Sequence, residues 1–333
     1  MSDVLVWVVV ATALGFDFTN GFHDTANAVA TTVSTRALSP RVAVAIAASM
    51  NLLGALVWTA VAKNVASGLI DADLATQRLL LAALIGAIAW NLVTWYLGLP
   101  SSSSHALVGG LVGAALAANG SKGVQWDGIW NKVAIPALES PVIGFFIAGG
   151  VILVIMWGLR RSRPAPLNRG FRYAQIASGS LMAFLHGTND AQKTMGVITL
   201  ALVTNGTISG TPDNFDIPWE VKVAAGVALA MGTYVGGWRI MRTMGSRIFK
   251  ITPAQGFAAQ TTASLVLWYT ARAGFPISTT QVISGSVLGV GAATNPSAVR
   301  WGIAANILLA WALTLPAAAA AAALVYFVIG PVT

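Results

Sequence analysis

Cysteine is absent from the 333 residues, which excludes disulfides and thiolate metal sites and leaves no mark of a redox compartment. Charge is scarce as well. Only 9% of residues are Asp, Glu, Lys or Arg, too few to solvate a soluble chain of this length. The first 20 residues hold Asp3 and no Lys or Arg, so they lack the basic region of a cleaved signal peptide and read as a retained transmembrane segment. Long polar stretches are missing too. The net charge of +8 does not point to nucleic acid, because the basic residues sit in short loops between apolar segments and not on one polar surface.

What remains is apolar sequence: 56% of residues are hydrophobic. Between charged or Gly/Pro breaks lie ten apolar segments, at about 4–35, 42–64, 78–97, 101–119 and 132–159, then 171–204, 219–241, 254–272, 277–293 and 300–330. This predicts an all-α polytopic membrane protein, five segments to each half. The first segment of each half is too long for one straight span, since about 32 residues at a rise of ~1.5 Å exceed a hydrocarbon core of roughly 30 Å. It must be broken, steeply tilted or re-entrant. If the five arginines between Arg160 and Arg172 are cytoplasmic, alternation puts Arg36, Arg41, Arg239, Arg242, Arg247, Lys250 and Arg300 on the same side. The other side then receives Asp3, Asp71, Asp73, Asp127, Asp213, Asp216 and Glu220, with both termini external. Five crossings is an odd number, so the second half enters from the opposite side, as an inverted-topology repeat. The expected division is a first repeat over 1–159, a short basic cytoplasmic linker over 160–170 and a second repeat over 171–333, in the cell membrane, with broken or re-entrant helices at the midplane.

Two motifs recur in the same order in both halves. NGFHDTAN at 20–27 aligns with HGTNDAQK at 186–193, matching Gly21 to Gly187 and Asp24 to Asp190. PSSSSHALVGGLVG at 100–113 aligns with PISTTQVISGSVLG at 276–289, matching Pro100 to Pro276, Ser102 to Ser278, Ser103 to Thr279 and Ser104 to Thr280. Gly109 and Gly113 fall on Gly285 and Gly289, at the spacing of close helix packing. Trp126, Trp130, Trp219 and Trp301 lie near segment ends and read as interfacial anchors.

Eight ionisable residues fall inside the segments: Asp17, His23, Asp24, His105, Glu139, His186, Asp190 and Lys193. A carboxylate at the bilayer centre costs roughly 2.5–3.5 kcal/mol on insertion scales, so such residues are usually internal and functional. Asp17 and Glu139, near segment ends, fit equally well as groups that tie helices together. Gly21 and Gly187, beside Asn20, Asn189 and the aspartates, suggest local unwinding that would free backbone groups to face an ion. Pro100 and Pro276 suit the opening of a helix, and the hydroxyls of Ser101 to Ser104 and Ser278 to Thr280 exceed what capping requires. With one motif entering from each side, they make a two-sided cradle that suits tetrahedral phosphate. An anion beside Asp24 and Asp190, with Lys193 the one fixed positive charge away from the segment ends, leaves the site strongly negative, so cations must enter with it.

The stretch NGFHDTANAVAT from residue 20, with HGTNDAQK and PISTT, resembles the PiT family of inorganic phosphate transporters, which includes the type III sodium–phosphate cotransporters. The resemblance covers essentially the whole chain. It implies a dimeric inverted-repeat bundle that binds inorganic phosphate and coupling cations between its halves, with no cofactor. By that resemblance Asp24, Asn27, Asn189 and Asp190 serve the cation and phosphate region, and Ser103, Ser104, Thr279 and Thr280 hold phosphate. With the polar residues beside them, the phosphate-binding candidates are Asn27, Asn189, Ser102, Ser103, Ser104, Ser278, Thr279 and Thr280, and the coupling-cation candidates Asp24, Asp190, Asn20 and His23. Where many sodium-coupled members read Gly-Ala-Asn-Asp, this chain reads Gly21, Phe22, His23, Asp24, similar to bacterial members that use protons and accept divalent-metal–phosphate complexes. A His beside an Asp fits proton coupling, and it equally fits a fixed hydrogen-bond donor in a sodium-coupled symporter. A resident metal is not specified by these residues. An intramembrane enzyme acting on a lipid-linked phosphate fits poorly, because the polar motifs come in symmetric pairs without an HExxH pattern or another dense catalytic cluster.

Overall fold

A computed structural model describes residues 2–211 and 215–330, with side chains from residue 4 onward; the Asp3 side chain and Asp213 lie outside what is described. Among the described residues twelve helices follow in order, short 3-10 turns aside. The first six are α1 (Ser2–Ser34), α2 (Pro40–Ala55), α3 (Ala60–Ser67), α4 (Gln77–Leu97), α5 (Ser103–Asn119) and α6 (Trp126–Gly158, with a π-helical turn at Ile129–Ala134). The second six are α7 (Pro164–Thr204), α8 (Trp219–Val235), α9 (Trp238–Arg242, extended by a π-helical turn at Thr243–Arg247), α10 (Pro253–Ala273), α11 (Thr279–Thr294) and α12 (Trp301–Ile329). Among the described residues α1, α4, α6 and α12 are long and apolar enough to cross a membrane alone, and α2 with α3, bent by 72°, makes a fifth candidate span. Trp126 and Trp219, exposed, open α6 and α8, and Trp301 opens α12.

The halves correspond helix for helix, α1 to α7 through α6 to α12, and their packing is reciprocal. Helix α1 packs on α8 while α7 packs on α2, and α5 packs on α12 while α11 packs on α6. The equivalent helices α1 and α7 run antiparallel, since Asp17 meets Thr194, Asp24 approaches His186, and Thr35 meets Gln175. A two-fold relating antiparallel helices lies perpendicular to them, which makes the repeat inverted. Its apolar core is divided into two clusters, one holding Val6 to Phe16 and Leu79 to Leu84, the other Ala258 to Leu267 and Val282 to Val290. The polar motifs lie between them.

Glycine contacts set the swap. A Cβ on Gly109 or Gly113 of α5 would overlap the Leu315 or Ala319 carbonyl of α12, and one on Gly285 or Gly289 of α11 would overlap the Pro141 or Phe145 carbonyl of α6. Removing the side chain lets backbones touch, which is how helices associate where lipid removes the hydrophobic driving force.

The expected unwinding at Gly21 and Gly187 does not occur. Helices α1 (33 residues) and α7 (41 residues) run unbroken through both motifs and are about 50 and 60 Å long at a rise of ~1.5 Å, so they tilt or overhang. The two glycines serve contact instead: a Cβ on Gly187 would overlap the Asn51 carbonyl of α2, and one on Gly21 the Leu229 carbonyl of α8. Breaks fall in the second segment of each half, between α2 and α3 and between α8 and α9, and ahead of α5 and α11. There Gly98 and Gly274 close α4 and α10 with left-handed φ of 69° and 79°, which favours glycine. Helix α7 also starts at Pro164, inside the stretch read as linker, with proline at its first turn.

Loops of the two halves meet at two ends of the helix bundle. At one end Ser34 bonds the Gly245 carbonyl and the Arg300 N–H donates to the Ile248 carbonyl. At the other, Lys63 lies 3.5 Å from Asp216, the Asp71 N–H donates to the Gly123 carbonyl, and Arg78 donates to the Tyr326 carbonyl.

Replacing Gly289 by Val should lower the melting temperature of detergent-purified protein, an overpacking cost of about 1–3 kcal/mol. Gly150→Ala on α6, where a Cβ meets nothing within 4 Å, should leave it unchanged or higher. Equal melting of the two variants would contradict the swapped packing.

Candidate functional site

Residues three and four apart share one helix face. That rule aligns Asn20, His23, Asp24 and Asn27 at the middle of α1, and His186, Asn189, Asp190 and Lys193 on α7. All eight are buried. Because α1 and α7 cross antiparallel at these turns, the two carboxylates come to one place: His186 Nε2 lies 3.1 Å from Asp190 Oδ2 and 3.9 Å from Asp24 Oδ2. His186 Nδ1 is held 3.1 Å from Asn51 Oδ1, and the Asn51 amide donates to Thr233 at 2.8 Å. One imidazole thus stands between both aspartates, oriented from α2.

The starts of α5 and α11 close the site from two sides. Ser102 and Ser278 are the N-caps: their hydroxyl oxygens accept from the His105 N–H at 3.1 Å and the Gln281 N–H at 3.2 Å. The next residues reach the carboxylates symmetrically, Ser103 donating to Asp24 Oδ2 at 2.8 Å and Thr279 to Asp190 Oδ2 at 3.3 Å. The third pair meets the opposite motif. Asn27 Nδ2 donates to Thr280 at 2.9 Å and Thr279 at 3.2 Å, while Ser104 accepts from Lys193. The N-termini of two half-helices, with their free N–H groups, therefore converge on the place where the two aspartates meet.

His23 has its own set of partners. Its Nδ1 is 2.6 Å from Asp24 Oδ1, and its Nε2 is 3.0 Å from Thr94 and 3.1 Å from Ser101. Ser101 in turn donates to Thr94 at 2.8 Å. Asn189 spans from α7 to α10, its amide donating to the Leu267 carbonyl at 3.2 Å. Several buried polar atoms at this centre have no protein partner: Asn20 Oδ1, Asn27 Oδ1, Asn189 Oδ1 and Asp17 Oδ2. Buried polar groups are nearly always satisfied, so a run of orphaned acceptors is the mark of a cation or water site.

All twelve candidates from the sequence are thus buried in one region. Others join them that were not named as ligands. Lys193 bonds Asp190 and Ser104, Asp17 accepts from Thr194 at 2.6 Å, and Thr94, Ser101 and Asn51 orient the two histidines. Lys193, Asp17 and His186 were visible as ionisable groups inside apolar segments. Asn51 and Thr94 carry no such signal, being neutral residues outside any repeated motif. Two ionisable groups stand apart. Glu139 is exposed on α6, and His105 sits a turn into α5, its Nδ1 3.4 Å from the Gln281 amide of α11. Asp24, His186 and Asp190 each offer an atom within 4.8 Å of the others, a geometry that can hold a metal ion.

A sequence profile described as the phosphate transporter family matches residues 20–169 and 160–322. Among curated proteins, the chain is 50% identical over 322 residues to a probable low-affinity inorganic phosphate transporter of Mycobacterium tuberculosis strain H37Rv, covering 97% of this chain and 77% of that one. It is 47% identical to a protein of the same description from Rhizobium meliloti, covering 96% of this chain and 95% of that one. Among solved structures, one described as the sodium-dependent phosphate transporter superposes with a TM-score of 0.86 at 25% identity, covering 99% of this chain and all of that one. With the paired motifs, the inverted helical repeat and these matches in agreement, the chain belongs to the phosphate transporter family.

Proposed function

We propose that the chain is a secondary active symporter that imports inorganic phosphate across the cell membrane with protons. The observation that carries this reading is the convergence of two half-helix N-termini, Ser102 to Ser104 and Ser278 to Thr280, on the paired carboxylates Asp24 and Asp190. N–H groups and hydroxyls suit the oxygens of phosphate. The carboxylates suit the cation that must come with it, because an anion brought beside them from water meets like charge in a low dielectric. In this reading Ser102, Ser103, Ser104, Ser278, Thr279, Thr280, Asn27 and Asn189 serve phosphate, and Asp24, Asp190, Asn20 and His23 serve the cation. His23, between Asp24 and the Thr94 and Ser101 hydroxyls, supports a proton as that cation. Sodium is the alternative, and the similar solved structure is described as sodium-dependent.

Alternating access follows from the repeat. Repeats over 1–159 and 171–333 rocking about the shared site would expose it first to one face and then to the other, with the basic turn at 160–170 in the cytoplasm and both termini outside. A homodimer belongs to this reading. The Asp24, His186 and Asp190 cluster favours one extension of it: a divalent metal entering with the phosphate, as cargo.

Uptake by proteoliposomes under an imposed pH gradient, with and without sodium, tests the coupling. Protons should drive uptake without sodium, and strict sodium dependence at fixed pH would overturn the proton assignment. Asp24→Asn and Asp190→Asn should each abolish uptake while the protein stays folded in the membrane. Wild-type transport by either refutes the central site. Thr280→Ala, which removes one hydroxyl, should raise the half-saturating phosphate concentration roughly three- to tenfold, the size of one lost hydrogen bond. An unchanged value would remove Thr280 from the phosphate ligands.

A further inference from the structure

The alignment that puts Asp24 on Asp190 also puts Asn27 on Lys193. The same alignment pairs Asn20 with His186 and His23 with Asn189, so each half holds one imidazole and one amide there, whereas Asn27 and Lys193 set a neutral amide in one half against a primary amine in the other. The amine is buried, with its side chain 3% exposed. Its Nζ bonds three oxygens, which are the Asp190 carboxylate, the Ser104 hydroxyl and, at 3.0 Å, the backbone carbonyl of Ile277. An ammonium has three N–H donors and no acceptor. Three acceptors around Nζ are thus the complement of the charged form, with each N–H placed.

The chemistry of those acceptors is informative. A carboxylate, a hydroxyl and a carbonyl from unwound backbone, Ile277 lying in the extended segment before α11, form the all-oxygen set by which discontinuous helices bind a dehydrated alkali cation. Lys193 holds a fixed ammonium where such an ion would sit. In the other half the corresponding place keeps Asp24, Thr280 and the Asn27 side chain, with no ammonium. There Asn27 Oδ1 is buried without a partner.

We propose that Lys193 is a built-in cation that takes the place of one coupling ion in the second half of the site, so that the exchangeable cation is confined to the Asp24 and Asn27 half. This rests on the symport reading above and sharpens it: of the two aspartates assigned there to the cation, Asp190 takes the Lys193 ammonium and Asp24 serves the exchangeable ion. The residue is specificity-determining: it sets how many free cations accompany each phosphate. Replacing it with the residue of the other half, Lys193→Asn, removes one positive charge and leaves three oxygens for an ion. Charge balance then requires one more cation per transport cycle.

The test compares wild type, Lys193→Asn and Lys193→Met in proteoliposomes at fixed pH with sodium varied against choline. For Lys193→Asn the ratio of phosphate uptake with sodium to uptake without it should rise about tenfold over the wild-type ratio, as ion binding restores the lost charge. An unchanged ratio in an actively transporting variant overturns the proposal. If the variants do not transport, the melting temperature in detergent decides without phosphate. Sodium should raise it for Lys193→Asn by about 2 °C or more beyond its effect on wild type. A folded variant with no extra shift overturns the proposal, as does loss of phosphate binding with no sodium response, which would make Lys193 a phosphate ligand. The double variant Asp190→Asn with Lys193→Met has no charge to replace, so its sodium shift should return to the wild-type value, and a retained gain counts against the proposal. Absence of phosphate uptake by the wild type would instead remove the transport reading, leaving the melting test intact.

Discussion

Two carboxylates meeting in the membrane interior constrain the rest of this structure. Asp24 and Asp190 come together because α1 and α7 cross antiparallel at their central turns, and atoms of both lie within 4.8 Å of each other and of His186. Like charges that close repel by roughly 3 kcal/mol at an effective dielectric near 20. The surroundings answer that repulsion: Ser103 and Thr279 donate to the Oδ2 atoms that face His186, while His23 lies against the other oxygen of Asp24 and Lys193 against that of Asp190. Asp17, a third buried carboxylate, has one oxygen bonded to Thr194 and the other without a partner. In the symport reading proposed above, this is the site where a cation must join the anion.

Holding such a pair requires rigid walls on both sides. The swapped glycine contacts provide them, since α5 is clamped by α12 and α11 by α6 through touching backbones. Each half-helix therefore takes its position from the other repeat's last helix. In the proposed transport cycle, movement of one repeat would carry part of the site with it, as alternating exposure requires.

Much of this was legible in the sequence because symmetry and scarcity mark it. Aspartates in apolar segments stand out, and a motif written twice locates both halves of a site. The Pro100 and Pro276 motifs gave the starts of α5 and α11 to within a few residues, since a proline followed by several hydroxyls has few other uses. Gly21 and Gly187 misled for a physical reason: a glycine in a polar motif suggests an unwound turn, yet here it admits a neighbouring backbone, and only the packing partner distinguishes the two. The breaks after α2 and after α8 were hidden inside apolar segments of ordinary length. Asn51 and Thr94 were invisible because their role is to orient a histidine of another helix, which no local pattern encodes.

The central claim is that phosphate and a coupling cation bind one site and favour each other, and thermodynamic linkage makes this measurable without transport. The direct measurement is calorimetric titration of phosphate into purified protein across a range of pH and, separately, of sodium concentration. The account predicts that phosphate affinity rises with one of the two cations, and that phosphate raises the affinity for that cation by the same factor. Phosphate affinity that responds to neither would contradict it.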